Sequence, residues 1–442
     1  MTSFESLNLN NPLRNALADL GFTHATPIQA AAFSTIMSGR DVVGIAQTGT
    51  GKTYAYLLPI LRMLPFSKQN QPRVLIIVPT RELVLQIVEE AQKLCTYTSI
   101  RVGGVYGGTN MNTQKQVVAD GLDILVATPG RLLDLAYTGV LKLKSVQKLV
   151  LDEVDELLNL GFRPQLITLL DLLPEKKQHL LFSATMLDDV ESMIKDYFND
   201  PVFVEVTPPG TPVDQIDQRY YVVPNFYSKL AVLRHLLLQG SQMTKVLIFA
   251  NTKYLADLIY EGLETDFPNA VGVIHSNKSQ NFRINSITQF QNGSYRFLIA
   301  TDVIARGLDI DGITHVINFD LPEENEVYVH RIGRTGRAEK QGVSITFIKP
   351  IELDQWEDIE TLMDFKVGEW PIPQGVELSD ALLEIEKPTV AGKNLNPKLT
   401  LKHSQGAFHQ KKDKNIKTNK ALERRKAYKE DRQKRKSQRK RK

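Results

Sequence analysis

Short apolar runs rich in β-branched residues recur along this chain, and each stops abruptly at a polar cluster. The first series is VVGI (42–45), VLIIV (74–78), ILVA (124–127), LVL (149–151) and LLFS (180–183), interleaved with helix-patterned stretches such as Glu82 to Leu94. Strands that alternate with helices form a parallel sheet covered on both faces. The pattern then restarts as VLIFA (246–250), AVGVI (270–274), FLIA (297–300), HVINF (315–319) and VSITFI (343–348). Between the two series lies VTPPGTPVDQID (206–217), whose three prolines and glycine disfavour both helix and central strand. The expected fold class is α/β, with two doubly wound parallel-sheet domains in tandem. The boundaries expected are 1–206 for the first domain, 207–217 for a linker, 218–350 for the second domain, 351–386 for an extension and 387–442 for a tail.

In open α/β sheets ligands bind beyond the carboxyl ends of the strands, and that is where the polar clusters fall. AQTGTGKT (Ala46 to Thr53) follows VVGI, and DEVD (Asp152 to Asp155) follows LVL. Gly49 and Gly51 let backbone N–H groups close around phosphate oxygens, where a Cβ would block the approach. Lys52 reaches the outer phosphates, Thr53 offers its hydroxyl to Mg²⁺, and the helix that follows turns its N-terminus toward the anion. Ala46 stands where the general phosphate-loop pattern has its first glycine. Asp152, at the end of its strand, suits a Mg²⁺ ligand acting largely through water, and Glu153 beside it can orient or deprotonate water. The pairing points to hydrolysis of a nucleoside triphosphate. PTREL follows VLIIV, TPGR follows ILVA, SAT is fused to LLF, NT follows VLIFA and TD follows FLIA. Both halves therefore direct polar chemistry to one edge, and a nucleotide can lie between them if those edges face each other.

At 442 residues the chain has room for large cores, and its 42% hydrophobic content with mixed charge describes a soluble protein. No run of about 18 apolar residues is present, and MTSFESLNLN has neither the basic start nor the apolar stretch of a signal peptide, so a cytoplasmic location and no membrane partner are expected. The single cysteine, Cys95, excludes an intrachain disulfide and a multi-cysteine metal site. The net charge of +4 conceals a division: residues 387–442 hold 21 Lys and Arg against four Asp and Glu, whereas the rest holds 33 against 46. A tail so basic, with few large apolar residues, is expected to be disordered and to seek a polyanion.

From about Phe4 to Pro350 these motifs, in this order, resemble the DEAD-box ATP-dependent RNA helicases, which have two RecA-like domains. GFTHATPIQ (Gly21 to Gln29) resembles the family's adenine-reading motif, although Ala25 stands where proline is usual. The resemblance implies that Gln29 hydrogen-bonds adenine, that Phe22 stacks on the base, that Phe4 is the isolated upstream aromatic, and that Thr48 belongs with the phosphate loop as a nucleotide contact. It implies an RNA track of Pro79, Thr80, Arg81, Gly107, Gly108, Thr128, Pro129 and Arg131 in the first domain. In the second, Gln280, Arg283, Thr301 and Gly307 continue it, with Ser276 where the family usually shows glycine. Such groups hold phosphates without reading bases. ATDVIARGLDI and HRIGRTGR imply that Asp309 contacts the ribose and that Arg334 and Arg337 act as arginine fingers, making hydrolysis depend on domain closure. Ser183, Thr185, Asp155 and His330 would couple the hydrolytic site to the interdomain contacts. Val154 occupies the third position of the DEAD motif, where its added methyl groups cost up to about 3 kcal/mol unless a neighbour adjusts.

The implied activity is an ATP- and Mg²⁺-dependent RNA helicase that hydrolyses ATP when RNA is bound and separates short duplexes locally. RNA would be preferred over DNA through the 2′-OH. An ATP-gated RNA clamp or assembly platform uses the same motifs, and a DNA helicase or generic P-loop motor is disfavoured by GFTHATPIQ. Ribosomal-precursor RNA and RNA-decay assemblies are both compatible settings.

Overall fold

The computed structural model describes residues 2–46, 49–206, 216–302, 310, 312–336 and 342–387. A two-residue antiparallel pair, β1 (Thr2–Ser3) with β2 (His24–Ala25), closes the N-terminal segment. The first large sheet comprises β3 (Val42–Ile45), β4 (Val74–Ile77), β5 (Val102–Val105), β6 (Ile124–Ala127), β7 (Lys148–Asp152), β8 (Gln178–Ser183) and β9 (Val202–Glu205). The second comprises β10 (Ile216–Val222), β11 (Val246–Phe249), β12 (Val271–Ile274), β13 (Phe297–Ala300), β14 (His315–Asn318), β15 (Gly342–Ile348) and β16 (Gly368–Glu369).

The spatial order is β5-β6-β4-β7-β8-β3-β9 in the first sheet and β12-β13-β11-β14-β15-β10-β16 in the second. The two orders are the same order, offset by one complete set of strands. Every described pairing within them is parallel.

Alternate residues of a strand point to opposite faces, and here both faces are buried. Ile124 and Val126 of β6 enter one apolar cluster, while Leu125 and Ala127 enter the other. In the second sheet Val246 and Ile248 of β11 face one cluster, with Leu247 and Phe249 in its counterpart. Strands of this kind keep most polar side chains at their ends, although β15 also buries Ser344 and Thr346 along its length.

The ten apolar runs read from the sequence are all strands, within a residue or two at each end. The strands beyond them lie mostly at sheet margins. β5 reads VGGV, with glycines that carry no side chain to pack, and β9 and β10 carry charged residues among their apolar ones. β10 begins at Ile216, so the last two residues of the expected linker, Ile216 and Asp217, are strand residues; 207–215 lie outside the described residues, as does the basic tail from 388 onward.

Segment 351–386 is built into the second sheet's surroundings. On the helix Leu353–Met363, Trp356 is 2% exposed, with its ring 5.3 Å from those of both Tyr220 and Tyr328. β16 then pairs with β10, and Leu383 joins the cluster under β11. Cys95 is buried, and burial pushes its thiol up to about 11, consistent with a packing role. No helix among the described residues is long and apolar enough to cross a membrane.

Trp356→Ala should cost about 3–5 kcal/mol of stability in the second half of the chain, since it empties the largest buried side chain there. Chemical denaturation should show an earlier transition for that half with the first half unmoved; an unchanged profile would mean the segment is not part of the second core.

Candidate functional site

The phosphate loop leaves β3 at Ala46, whose N–H donates to the Ser183 carbonyl at 3.1 Å. Gly49 and Gly51 have φ of 87° and 88°, the left-handed region that glycine enters without strain. Gly51 is the N-cap of the helix Lys52–Met63, so Lys52 and Thr53 occupy its first turn. Lys52 is 6% exposed, and its Nζ is buried without a hydrogen-bond partner among the described residues. A buried ammonium unmatched in this way is what an anion would complete.

Gln29 sits in the first turn of the helix Pro27–Met37, where its Oε1 accepts from the Thr26 N–H at 2.9 Å and its Nε2 donates to the Gly51 carbonyl at 3.2 Å. One lone pair and one amide proton stay available for a base, and the same side chain is tied to the phosphate loop. Phe22 is 47% exposed, with its ring edge-on to Tyr54 at 5.6 Å. Phe4 is buried in the first core.

Asp152 is the last residue of β7, and Glu153 turns the chain into the helix Val154–Asn159 with φ of 51°. A left-handed conformation is uncommon for a non-glycine residue and is retained only where the surroundings hold it. Val154 is fully buried in the apolar cluster beneath, and the positive φ falls on Glu153 instead. Burial pushes the Glu153 carboxyl up to about 7, opposed by the charges of Lys52 and Arg334. Burial likewise raises the Asp152 carboxyl, opposed by Lys52 and by hydrogen bonds from Tyr56 and the Glu153 N–H. No group of three or more His, Cys, Asp or Glu side chains among the described residues could hold a metal. One carboxylate and one hydroxyl, Asp152 and Thr53, are the usual protein share of a Mg²⁺ shell that phosphate and water complete, so this donor set fits the ion.

Asp155 closes the site from behind. Its Oδ2 accepts from the Ala184 N–H at 3.1 Å, the Thr185 N–H at 3.1 Å and the Thr185 hydroxyl at 3.0 Å, and the Asp155 N–H donates to Ser183 Oγ at 3.4 Å. The end of β7 is thereby clasped to the end of β8.

One cavity is lined by Lys52, Glu153, Asp155, Glu156 and Ala184 from the first half and by His330 and Arg334 from the second. The polar edges of the two sheets therefore face each other. The arginines of HRIGRTGR divide their work. Arg331, 1% exposed, spends its guanidinium on Asp302 at 2.6 and 2.7 Å, the Asp320 carbonyl at 2.6 Å and Asn251 at 2.8 Å. Arg334 lies beyond the end of the helix Asn325–Ile332 and lines the cavity. Arg337, Asp309, Gly307 and Thr48 lie outside the described residues.

A second meeting point involves residues expected on the RNA track. Arg81 Nη1 donates to Gln280 Oε1 at 3.2 Å, and Gln280 Nε2 donates to Glu82 Oε1 at 3.2 Å. Arg283 forms a buried ion pair with Glu82. The sequence reading had not singled out Glu82; its place inside PTREL was the available signal. A Cβ at Gly108 would collide with the Arg81 guanidinium, so glycine there makes room for that arginine. Arg131 donates to Gln114 Oε1 at 2.8 Å and to the Thr109 carbonyl at 2.9 Å, bracing the loop that holds Gly107 and Gly108. Gln114, also unanticipated, further accepts from the Tyr106 N–H at 3.1 Å. Thr80 caps the helix Arg81–Leu94 after Pro79, Thr128 precedes the helix Pro129–Thr138, and Thr301 follows β13. Ser276 is exposed beyond β12.

A phosphate loop, carboxylates two strands away in the same sheet and an arginine supplied from the second domain, whose sheet has the same topology, define a two-domain ATPase. A family profile described as DEAD/DEAH box helicase matches residues 26–193, and one described as Helicase conserved C-terminal domain matches residues 228–339. The chain is 40% identical over 361 residues to the DEAD-box ATP-dependent RNA helicase CshA of Geobacillus kaustophilus, covering 81% of this chain and 76% of that protein. It is 42% identical over 376 residues to the ATP-dependent RNA helicase RhlB of Pseudomonas syringae pv. tomato, covering 83% of this chain and 94% of that protein. Among solved structures, S. cerevisiae Dbp5 bound to RNA and ADP BeF3 is similar with a TM-score of 0.76 at 29% identity, over 84% of this chain and 96% of that one. Mss116p bound to ssRNA and AMP-PNP gives the same TM-score of 0.76 at 29% identity, over 85% of this chain and 81% of that one. The chain belongs to the DEAD-box family of ATP-dependent RNA helicases, and its two sheets are tandem RecA-like domains.

Glu82→Ala should leave the Arg283 guanidinium buried without its carboxylate, a change that costs about 3–5 kcal/mol for a buried pair. The RNA concentration needed for half-maximal ATPase activity should rise several-fold. Adding Arg283→Met should recover part of the lost stability, and strictly additive effects on stability would show that the two side chains are not coupled.

Proposed function

We propose that this helicase hydrolyses ATP at the Lys52–Glu153–Arg334 cavity only when the two domains are closed on RNA, and that the closure separates duplexes locally. The observation that carries the reading is that cavity, to which the second domain contributes Arg334 and His330. Lys52 holds the outer phosphates, and Gln29 and Phe22 hold the adenine. Thr53 and Asp152 hold Mg²⁺ largely through water; when bound, the ion neutralises developing phosphate charge. Glu153, kept in place by its turn, positions the attacking water and takes its proton. Arg334 stabilises the charge that spreads over the transferring phosphoryl group, with Arg337 as the second finger and Asp309 on the ribose. The Asp155 clasp on Ser183, Ala184 and Thr185 links these events to the domain interface near His330.

RNA runs over Pro79, Thr80, Arg81, Gly108, Thr128, Pro129 and Arg131, then over Gln280, Arg283, Thr301 and Gly307. Its phosphates and 2′-hydroxyls are the main contacts, so binding is largely independent of sequence. The pairing of Arg81 with Gln280 brings both halves of this track together when the domains meet. The basic tail adds affinity for RNA, and ribosomal-precursor RNA or RNA-decay assemblies in the cytoplasm are the proposed setting.

Lys52→Ala should abolish productive ATP binding, whereas Glu153→Gln should retain binding and lose most hydrolysis; near-wild-type turnover in either would overturn the assignment. Arg334→Ala should lower RNA-stimulated kcat with little change in nucleotide affinity, and equal loss of both would refute its role as a finger. Deleting 387–442 should weaken RNA binding and flatten its salt dependence, because each lost phosphate contact reduces the slope by about 0.7 on single strands.

A further inference from the structure

The helix Lys52–Met63 carries an unusual group into the first core. Tyr56 is 0% exposed, and its ring packs 5.2 Å from that of Phe182 within an apolar cluster. A hydroxyl buried there without a partner would be destabilising, so its partner explains its presence. It donates to Asp152 Oδ2 at 2.9 Å, and Thr53 lies three residues earlier on the same helix. The other Asp152 oxygen, Oδ1, accepts from the Glu153 N–H at 2.9 Å.

One of the two side chains assigned to Mg²⁺ is thus tied to this hydroxyl. Asp152 is held at both oxygens and cannot rotate without losing a hydrogen bond. Partners of this kind, one step removed from a metal, fix the orientation of the groups that meet it.

We propose that Tyr56 is a positioning residue for Mg²⁺ use, holding Asp152 by one oxygen so that the carboxylate meets the ion in one arrangement. The inference rests on the assignment of Thr53 and Asp152 to Mg²⁺ above. Packing alone makes a different prediction, because Tyr56→Phe keeps the ring against Phe182 and removes only the hydroxyl.

The test is binding of a fluorescent ADP to the full-length protein across a Mg²⁺ titration, with RNA-stimulated ATPase activity and thermal midpoint measured alongside. Tyr56→Phe should raise the Mg²⁺ concentration for half-maximal nucleotide binding about ten-fold, the lower end of the range for such partners. Binding in EDTA should be unchanged, and kcat should recover toward wild type at high Mg²⁺. Tyr54→Phe removes a hydroxyl on the same helix that points to Glu90, and should leave the Mg²⁺ midpoint where it was. A Tyr56→Phe protein with an unaltered Mg²⁺ midpoint, whatever its thermal stability, would make Tyr56 a packing residue and overturn the proposal. Thr53→Ala and Asp152→Asn separate the two levels of inference: if they move the midpoint and Tyr56→Phe does not, only the positioning role fails. If neither moves it, the Mg²⁺ assignment and the positioning role fall together.

Discussion

A strand buried on both faces keeps its charged side chains mostly where it ends, and two sheets of such strands concentrate their charged chemistry at their edges. Both sheets of this helicase are of that kind, with successive residues of β6 and of β11 entering opposite apolar clusters. Because the strands are parallel, the carboxyl ends of β3, β7 and β8 lie side by side, bringing Ala46, Asp152 and Ser183 together although they are distant in the chain. The phosphate loop, the carboxylates and the Ser-Ala-Thr turn owe their proximity to this arrangement. Repeating the same strand order in the second sheet produces a second polar edge, and the cavity forms where the two meet.

Within that cavity the charges are arranged for a guest. The Lys52 ammonium is buried without a hydrogen-bond partner among the described residues, and Glu153 is held in a left-handed turn with its carboxyl pushed up to about 7 by burial. Asp155, in contrast, has its Oδ2 filled by three donors from the adjoining strand end. Groups satisfied in this way hold the frame rigid. Arg331 likewise spends its donors on Asp302, Asp320 and Asn251, while Arg334 lines the cavity wall.

Much of this was legible in the order of the residues. Runs such as ILVA and FLIA mark buried strands because both faces need apolar side chains, and VVGI followed by glycines and Lys52 marks a phosphate loop because each residue's part is local. Strands at or near the sheet margins were harder to read. β5 carries two glycines, and β9 and β10 mix charged with apolar residues, so their assignment depends on the neighbour that pairs with them. The segment after Pro350 reads as an appendage until Trp356 is seen against Tyr220 and Tyr328.

By itself the sequence determined two α/β series, the polar clusters at their strand ends and membership of an RNA-dependent ATPase family, since periodicity, loop chemistry and motif order are properties of neighbouring residues. Tertiary structure decided which polar groups meet. Glu82 and Arg283 pair across 201 positions, and the Tyr56 hydroxyl finds Asp152 across 96. No local pattern encodes such partners, because a buried polar side chain is satisfied by whatever the folded chain places within hydrogen-bond distance.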